Sequence, residues 1–246
     1  MTGAPEPAAR RPTRRDQAKA ARRAELLEAA ARQMAERGFA AVRLEDIGAA
    51  VGISGPGMYR HFSSKSELLD ELLVDISRRL HDGGAQVVET DGGAAADPAA
   101  TLRALIRFHI DVLVTKPDLI SVQDRDLSSL SPAANHEVRS LQRRYVERWV
   151  DVLVRVDGPD GDGQDGAPWR ERGQARVRVH AVFGLLNSSP RLPDYPRARL
   201  RGLLASMAWA ALGAEFASRN STFKSLSMSR MRLRTTSTSS RMRIAV

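Results

Sequence analysis

The stretch from Val42 to Glu67, VRLEDIGAAVGISGPGMYRHFSSKSE, constrains this chain more than any other. Leu44, Ile47 and Val51 recur at i, i+3 and i+7, so one face of a first short helix is apolar. Gly52 follows, where a helix end needs a residue free to enter the left-handed region. Ser54 stands where a side chain can cap the next helix, and Pro56 falls in its first turn, where a missing N–H costs little. That helix carries Met58, Tyr59, His61 and Phe62. Two helices of this size around a tight turn make a helix-turn-helix, whose second helix can lie in a DNA major groove. A further helix starts on Ser64-Lys65-Ser66-Glu67, an S-x-x-E capping box with a phosphate-friendly N-terminus.

Helical spacing continues on both sides. A helix from about Asp16 to Arg37 buries Leu26, Leu27, Ala30, Ala31 and Met34 and ends at Gly38. The helix from Ser64 carries Leu68, Leu69, Leu72, Leu73 and Ile76 and is expected to stop near Leu80, before Gly83-Gly84. Residues 82–98, rich in Gly, Ala and Asp, read as a linker or frayed helix end. Beyond Pro98 come helices marked by Leu102, Leu105, Phe108 and Val112, then about Asp118–Leu127, then a long one from Pro132 through Tyr145 and Trp149. After an acidic glycine-rich loop, two more are expected at roughly 168–187 and 196–218. Almost nothing shows the period-2 alternation of a strand, so the chain is all-α.

Charge sharpens the division. Of the formal +9, residues 1–24 carry +5 and residues 219–246 carry +7, which leaves −3 for the body between them. Basic tails favour polyanions such as DNA. The N-terminal arm abuts the helix-turn-helix, so DNA is its expected partner; for the C-terminal tail, solubility is an equal reading. Cysteine is absent, which excludes disulfides and thiolate chemistry. No apolar run reaches the roughly 18–20 residues a bilayer span needs, and the first 25 residues lack a secretory apolar core. The expected setting is the cytoplasm, with no membrane partner.

The run Gly38-Phe39, Asp46-Ile47, Val51-Gly52-Ile53-Ser54, Met58-Tyr59-Arg60-His61-Phe62 and Lys65 before Glu67-Leu68-Leu69 resembles the DNA-binding motif of the TetR family of bacterial transcriptional regulators. More loosely, VQDRDLSSL, RRYVERWVDVL and HAVFGLLNS are similar to an actinobacterial subgroup linked to fatty-acid or acyl-CoA metabolism. The resemblance implies an N-terminal three-helix helix-turn-helix domain and a larger helical ligand-binding and dimerisation domain. The expected layout is a disordered basic arm at 1–19, the reader at 20–81, a linker at 82–98, the effector and dimer domain at 99–219 and a disordered basic tail at 220–246. It further implies a homodimeric repressor, bound to double-stranded near-palindromic operator DNA and released by a small hydrophobic or acyl-type effector such as an acyl-CoA or a lipid-like molecule.

Roles follow from side-chain chemistry. Tyr59, His61 and Lys65 can donate to phosphates, and in the resembling family residues at these positions do; such contacts set register and carry no sequence information. The front of the second helix, Ser54, Gly55, Pro56 and Gly57, has little reach and would work by close approach. Arg43 is the candidate for a bidentate guanine contact, and the arm arginines Arg10, Arg11, Arg14 and Arg15 for the minor groove. Arg60 can face DNA or the protein surface. Arg43 follows Val42 where the family usually opens its helix with Thr or Ser, so a side-chain cap is lost, and Gly48 stands where alanine is usual, which is expected to weaken the helix. Phe108, His109, Arg125, Tyr145, Trp149 and Phe183 are the candidate effector liners, with Arg125 facing an acidic group.

Enzyme readings lack their residues. Asp160, Asp162, Gln164 and Glu171 fit calcium-loop spacing, but Asp165 replaces the required glycine and Pro168 interrupts the loop. The histidines His61, His81, His109, His136 and His180 include no i, i+4 pair for zinc. No catalytic, metal or cofactor residues are therefore expected. The alternatives are an enzyme or a structural, partner-binding helical protein that carries a vestigial DNA-binding domain.

Overall fold

The computed structural model describes residues 13–91, 97–156 and 171–213. Among them the ordered elements are helical: α1 (Arg14–Arg37), α2 (Leu44–Ala50), α3 (Gly55–Met58), α4 (Lys65–Asp91), α5 (Pro98–Thr115), α6 (Pro117–Asp126), α7 (Pro132–Leu153), α8 (Arg172–Asn187) and α9 (Arg197–Ala211). Single 3-10 turns lie at Leu127–Ser129 and Ser189–Arg191. Arg10, Arg11 and the tail from 220 lie outside the described residues.

Local chemistry explains the helix ends. Thr13 and Asp16 form a reciprocal capping box, with Asp16 N–H donating to Thr13 Oγ1 at 3.2 Å and Thr13 N–H to Asp16 Oδ2 at 3.0 Å. That box starts α1 at Arg14, so residues 14–19, expected within the arm, are helical. Gly38 (φ 86°) and Gly52 (φ 72°) take the left-handed backbone that stops the helices before them. α3 is a single turn, shorter than the expected Gly55–His61, and Tyr59–His61 continue as hydrogen-bonded turns. Two glycines and a proline lack the propensity to extend it.

α4 passes well beyond the expected stop at Leu80, and residues 82–91 are helical rather than linker. Gly84 is the reason it can: a Cβ there would collide with the Tyr145 ring, lying 3.0 Å from Cδ2. The glycine is a seat for an aromatic side chain, not a break.

Packing divides the described residues into two compact units. The first joins residues up to Gly84 with Asp111–Tyr145 and Asn187–Leu192; the second joins Ala85–Ile110, Val146–Leu186 and residues from Pro193. One division falls at Gly84/Ala85, inside the expected 82–98 linker, but the chain returns to the first unit at Asp111–Tyr145, where α6 packs on α1. In the first unit Leu26, Met34, Ile47, Met58, Phe62, Leu68 and Leu73 are fully buried. In the second unit the fully buried set includes Leu102, Leu105, Trp149, Val179, Val182 and Ala208.

Candidate nucleic-acid interface

α2 and α3 are held against one another at close range. A Cβ on Gly48 would lie 2.9 Å from the Ile53 carbonyl oxygen and against the Met58 side chain. Gly48, expected to weaken α2, is therefore what admits the Ile53 turn and buried Met58. Arg43 gives α2 no side-chain cap, yet Asp46 Oδ2 accepts the Arg43 N–H at 3.4 Å. Half of a capping box survives in place of the lost Thr or Ser. Ser54 makes no side-chain cap bond, although its carbonyl accepts the Met58 N–H at 3.0 Å. A cap would bond N–H groups at the second or third helical position, and Pro56 at the second has none.

Longer side chains fasten this pair to α1 and α4. The Arg23 guanidinium donates to Glu71 Oε1 at 2.8 Å and to the His61 carbonyl, and lies 4.0 Å over the Phe62 ring. Bonding to the Glu71 carboxylate raises its pKa. Gln33 Nε2 donates to the Asp46 carbonyl at 3.1 Å and Arg22 Nη1 to the Val51 carbonyl at 3.3 Å. Below α3, Glu67 Oε2 accepts both the Ser63 N–H and its hydroxyl, which holds the Glu67 carboxyl below the usual range, while Ser64 Oγ accepts the Glu67 N–H at 3.1 Å.

The face left open carries Arg43, Glu45, Ser54, Pro56, Tyr59 and Arg60, all exposed, with Gly55 and Gly57 half-buried between them. Tyr59 is 56% exposed and its hydroxyl donates to Glu45 Oε1 at 2.9 Å. That bond raises the Tyr59 pKa; the Glu45 carboxyl is held low by its own backbone N–H first and by Tyr59 second. His61 is half-buried, and its Nδ1 is buried without a partner among the described residues, so an outward hydrogen bond would have to come from Nε2.

Lys65 is placed differently from a surface anchor. Its Nζ donates to the Phe39 carbonyl at 2.7 Å and the Ala40 carbonyl at 3.2 Å, and stands 4.4 Å over the Phe39 ring. Two of its three donors brace the turn between α1 and α2.

The expected effector liners do not form one set. His109, Trp149 and Phe183 come together in the second unit: His109 stacks on Phe183 at 4.8 Å, and Trp149 meets both edge-on at 5.9 and 5.0 Å. Phe108 is half-buried. Tyr145 is buried in the first unit against Gly84. Arg125 is a correction: rather than facing an acidic ligand, it donates to the Met34 and Ala35 carbonyls at the end of α1 and pairs with buried Asp126 at 3.1 Å. A cation at a helix C-terminus satisfies orphan carbonyls and complements the dipole. Sequence reasoning missed Glu45 and Arg23. An acid in the first turn of a helix reads as an ordinary complement to the dipole, which concealed Glu45.

The N-terminal part, residues 26–72, matches the model of bacterial regulatory proteins of the tetR family, and residues 95–191 match the tetracyclin repressor-like C-terminal domain. The chain belongs to the TetR family. Members of this family are transcriptional regulators, not enzymes. The HTH-type transcriptional repressor KstR2 of Rhodococcus jostii is 30% identical over 138 residues, 55% of this chain and 65% of that protein. The match thus spans just under two thirds of that relative's length. Among solved structures, the ketosteroid transcriptional regulator KstR2 of Mycobacterium tuberculosis shares the TetR-family fold at a TM-score of 0.62, with 24% identity over 78% of this chain and 93% of that one. AibR in complex with isovaleryl coenzyme A and operator DNA does so at 0.56, with 19% identity over 76% and 97%. Among the described residues no helix is long and apolar enough to cross a membrane, and no group of three or more His, Cys, Asp or Glu could hold a metal ion. Of the calcium-like pattern, Asp160, Asp162, Gln164, Asp165 and Pro168 lie outside the described residues.

Proposed function

We propose that this TetR-family chain is a homodimeric, ligand-responsive DNA-binding regulator, a repressor released from a near-palindromic operator by a small hydrophobic or acyl-type effector. The observation that carries the reading is the open face of α2 and α3. Arg43 and Tyr59 are exposed, and the small Gly55-Pro56-Gly57 front would let backbone approach bases closely. Residues 20–81 read DNA, with Tyr59 and His61 donating to phosphates and Arg43 to a guanine edge. Lys65 serves chiefly by fixing the turn that carries Phe39 and Ala40.

Residues 99–219 dimerise and take the effector. Val177 on α8 and Leu203 and Met207 on α9 are 68%, 49% and 43% exposed. A second copy covering them would remove apolar surface from water. Two α3 helices would then enter successive major grooves about 34–36 Å apart. The aromatic group of His109, Trp149 and Phe183 suits an apolar effector, and the relatives' names favour that chemistry: a ketosteroid regulator and an isovaleryl coenzyme A complex. An effector acts by preferring a different separation of the two α3 helices.

The test is footprinting of the full chain on the DNA upstream of its own gene, with and without isovaleryl coenzyme A and a panel of longer acyl-CoAs. Protection of a two-fold-related site, lifted by an acyl-CoA, is expected. Uniform binding along the fragment would remove the operator reading. A footprint that no acyl-CoA lifts would remove the acyl effector alone.

A further inference from the structure

One long side chain on the open face has the wrong sign for a phosphate surface. Glu45 is exposed in the first turn of α2, and its carboxylate accepts the Tyr59 hydroxyl. A Cβ on Gly55 would lie 3.4 Å from Glu45 Cγ, so the Glu45 stem runs beside the first residue of α3. There Gly55, Pro56 and Gly57 bring no functional group of their own. Glu45 therefore supplies an acceptor at the front of α3 that its own residues lack.

A carboxylate accepts hydrogen bonds and cannot donate them, and like charge keeps it from phosphate oxygens. In the major groove the donors are the exocyclic amines of cytosine and adenine. Adenine places the acceptor N7 beside its amine, which repels a second carboxylate oxygen; cytosine presents N4–H₂ alone, so cytosine is the better match. We infer that Glu45 is a specificity-determining residue, which accepts the exocyclic amine of a cytosine in each half-site and disfavours sequences that place an acceptor there. The inference rests on the DNA-binding reading above.

Tyr59 links this contact to the backbone. Off DNA its hydroxyl proton is directed at Glu45. To donate to a phosphate it must turn away, and Glu45 then needs a new donor. A cytosine amine provides one. A guanine O6 or thymine O4 at that place leaves the carboxylate facing another acceptor, and the Tyr59–phosphate bond forms at a cost. Arg43 cannot substitute, because a guanidinium only donates. The rival account is that Glu45 merely orients Tyr59.

Selection from a randomised duplex library with the full chain separates the two accounts, using wild type, Glu45→Gln, Glu45→Ala and Tyr59→Phe. Wild type is expected to enrich cytosine at one position of each half-site. Glu45→Ala should flatten that position, cutting discrimination by about tenfold or more, and leave the other positions alone. Glu45→Gln should turn it toward adenine, whose N6 and N7 suit an amide. Tyr59→Phe should weaken all sequences and keep the cytosine. If Glu45→Ala keeps the wild-type base preference and only loses affinity, as Tyr59→Phe does, the inference is overturned while DNA binding stands. If wild type enriches no sequence, the DNA-binding reading falls, and this one with it.

Discussion

In the first compact unit, long polar side chains reach across to close helix ends and turns. Arg23 ties the His61 carbonyl to Glu71, Lys65 ties Phe39 and Ala40, Arg125 closes the end of α1, and Arg22 and Gln33 hold carbonyls of α2 and its C-cap. In the second unit the centre is apolar and aromatic, around Trp149, Phe183 and His109, with exposed ion pairs from Arg172 and Arg176 to Glu147 and Asp151. A fastener occurs there too, where Arg178 donates to the Leu212 carbonyl at the end of α9 at 3.1 Å. For α2 and α3 the fastening follows from helix length. α2 has 7 residues and α3 has 4, so most of their N–H and C=O groups are terminal and lack a partner within the helix. In the second unit α8 and α9, of 16 and 15 residues, satisfy most of their own backbone groups and are held chiefly by packing.

Substitutions that attack each means of support should behave differently. The largest effect belongs to the packed unit: Trp149→Ala should cost about 3–5 kcal/mol, seen as a Tm fall of about 10 °C or more. If the loss were under 1 kcal/mol, packing around Trp149 would not be what holds that unit. Arg23→Ala should cost about 1–3 kcal/mol, because it strands a carboxylate and a carbonyl together. Its mark should be local, with faster amide exchange across residues 58–72 and unchanged exchange at 146–153. Uniform loss of protection would dissolve the contrast between fastened and packed regions.

Gly48→Ala sharpens it further. Helix propensity alone argues for a gain of up to about 1 kcal/mol, but the Ile53 carbonyl stands in the way, and overpacking of about 1–3 kcal/mol should win. A raised Tm would show that the Ile53 turn is loose. The smallest effect is electrostatic. Burial, then Glu71, raises the Asp75 pKa above its ordinary value. A carboxyl with a raised folded pKa favours folding below its unfolded pKa, and that contribution is lost as pH rises through the folded value. Asp75→Asn should therefore raise Tm at pH 7 by about 1 °C, given how much solvent reaches the site, and the difference should fade below about pH 4. A difference that persists at pH 3 would assign it to packing.

The same contrast explains what the sequence disclosed. Periodicity and glycine ends gave away the long helices and the left-handed Gly38 and Gly52, because each signal is local. The fasteners were hidden. Nothing near Arg23 or Arg125 in the chain says that their partners lie 48 and 91 residues away at Glu71 and Met34. Gly48 and Gly84 were read as weaknesses because their meaning sits in Ile53, Met58 and Tyr145, which only the fold brings near. Glu45, an acid in the first turn of α2, gives no local sign that the Tyr59 hydroxyl meets it across the turn.

The inward-turned cations also change what a salt titration would report. Lys65, Arg23 and Arg125 are held by carbonyls and carboxylates of their own chain, so they gather few mobile anions for DNA to release. Each phosphate neutralised on duplex DNA adds roughly 0.9 to the slope of log K against log salt. The measured slope should therefore fall well short of the tally of basic residues in this unit, and the regulator should hold its site at ionic strengths where a chain of the same formal charge, with every cation facing outward, would already have let go.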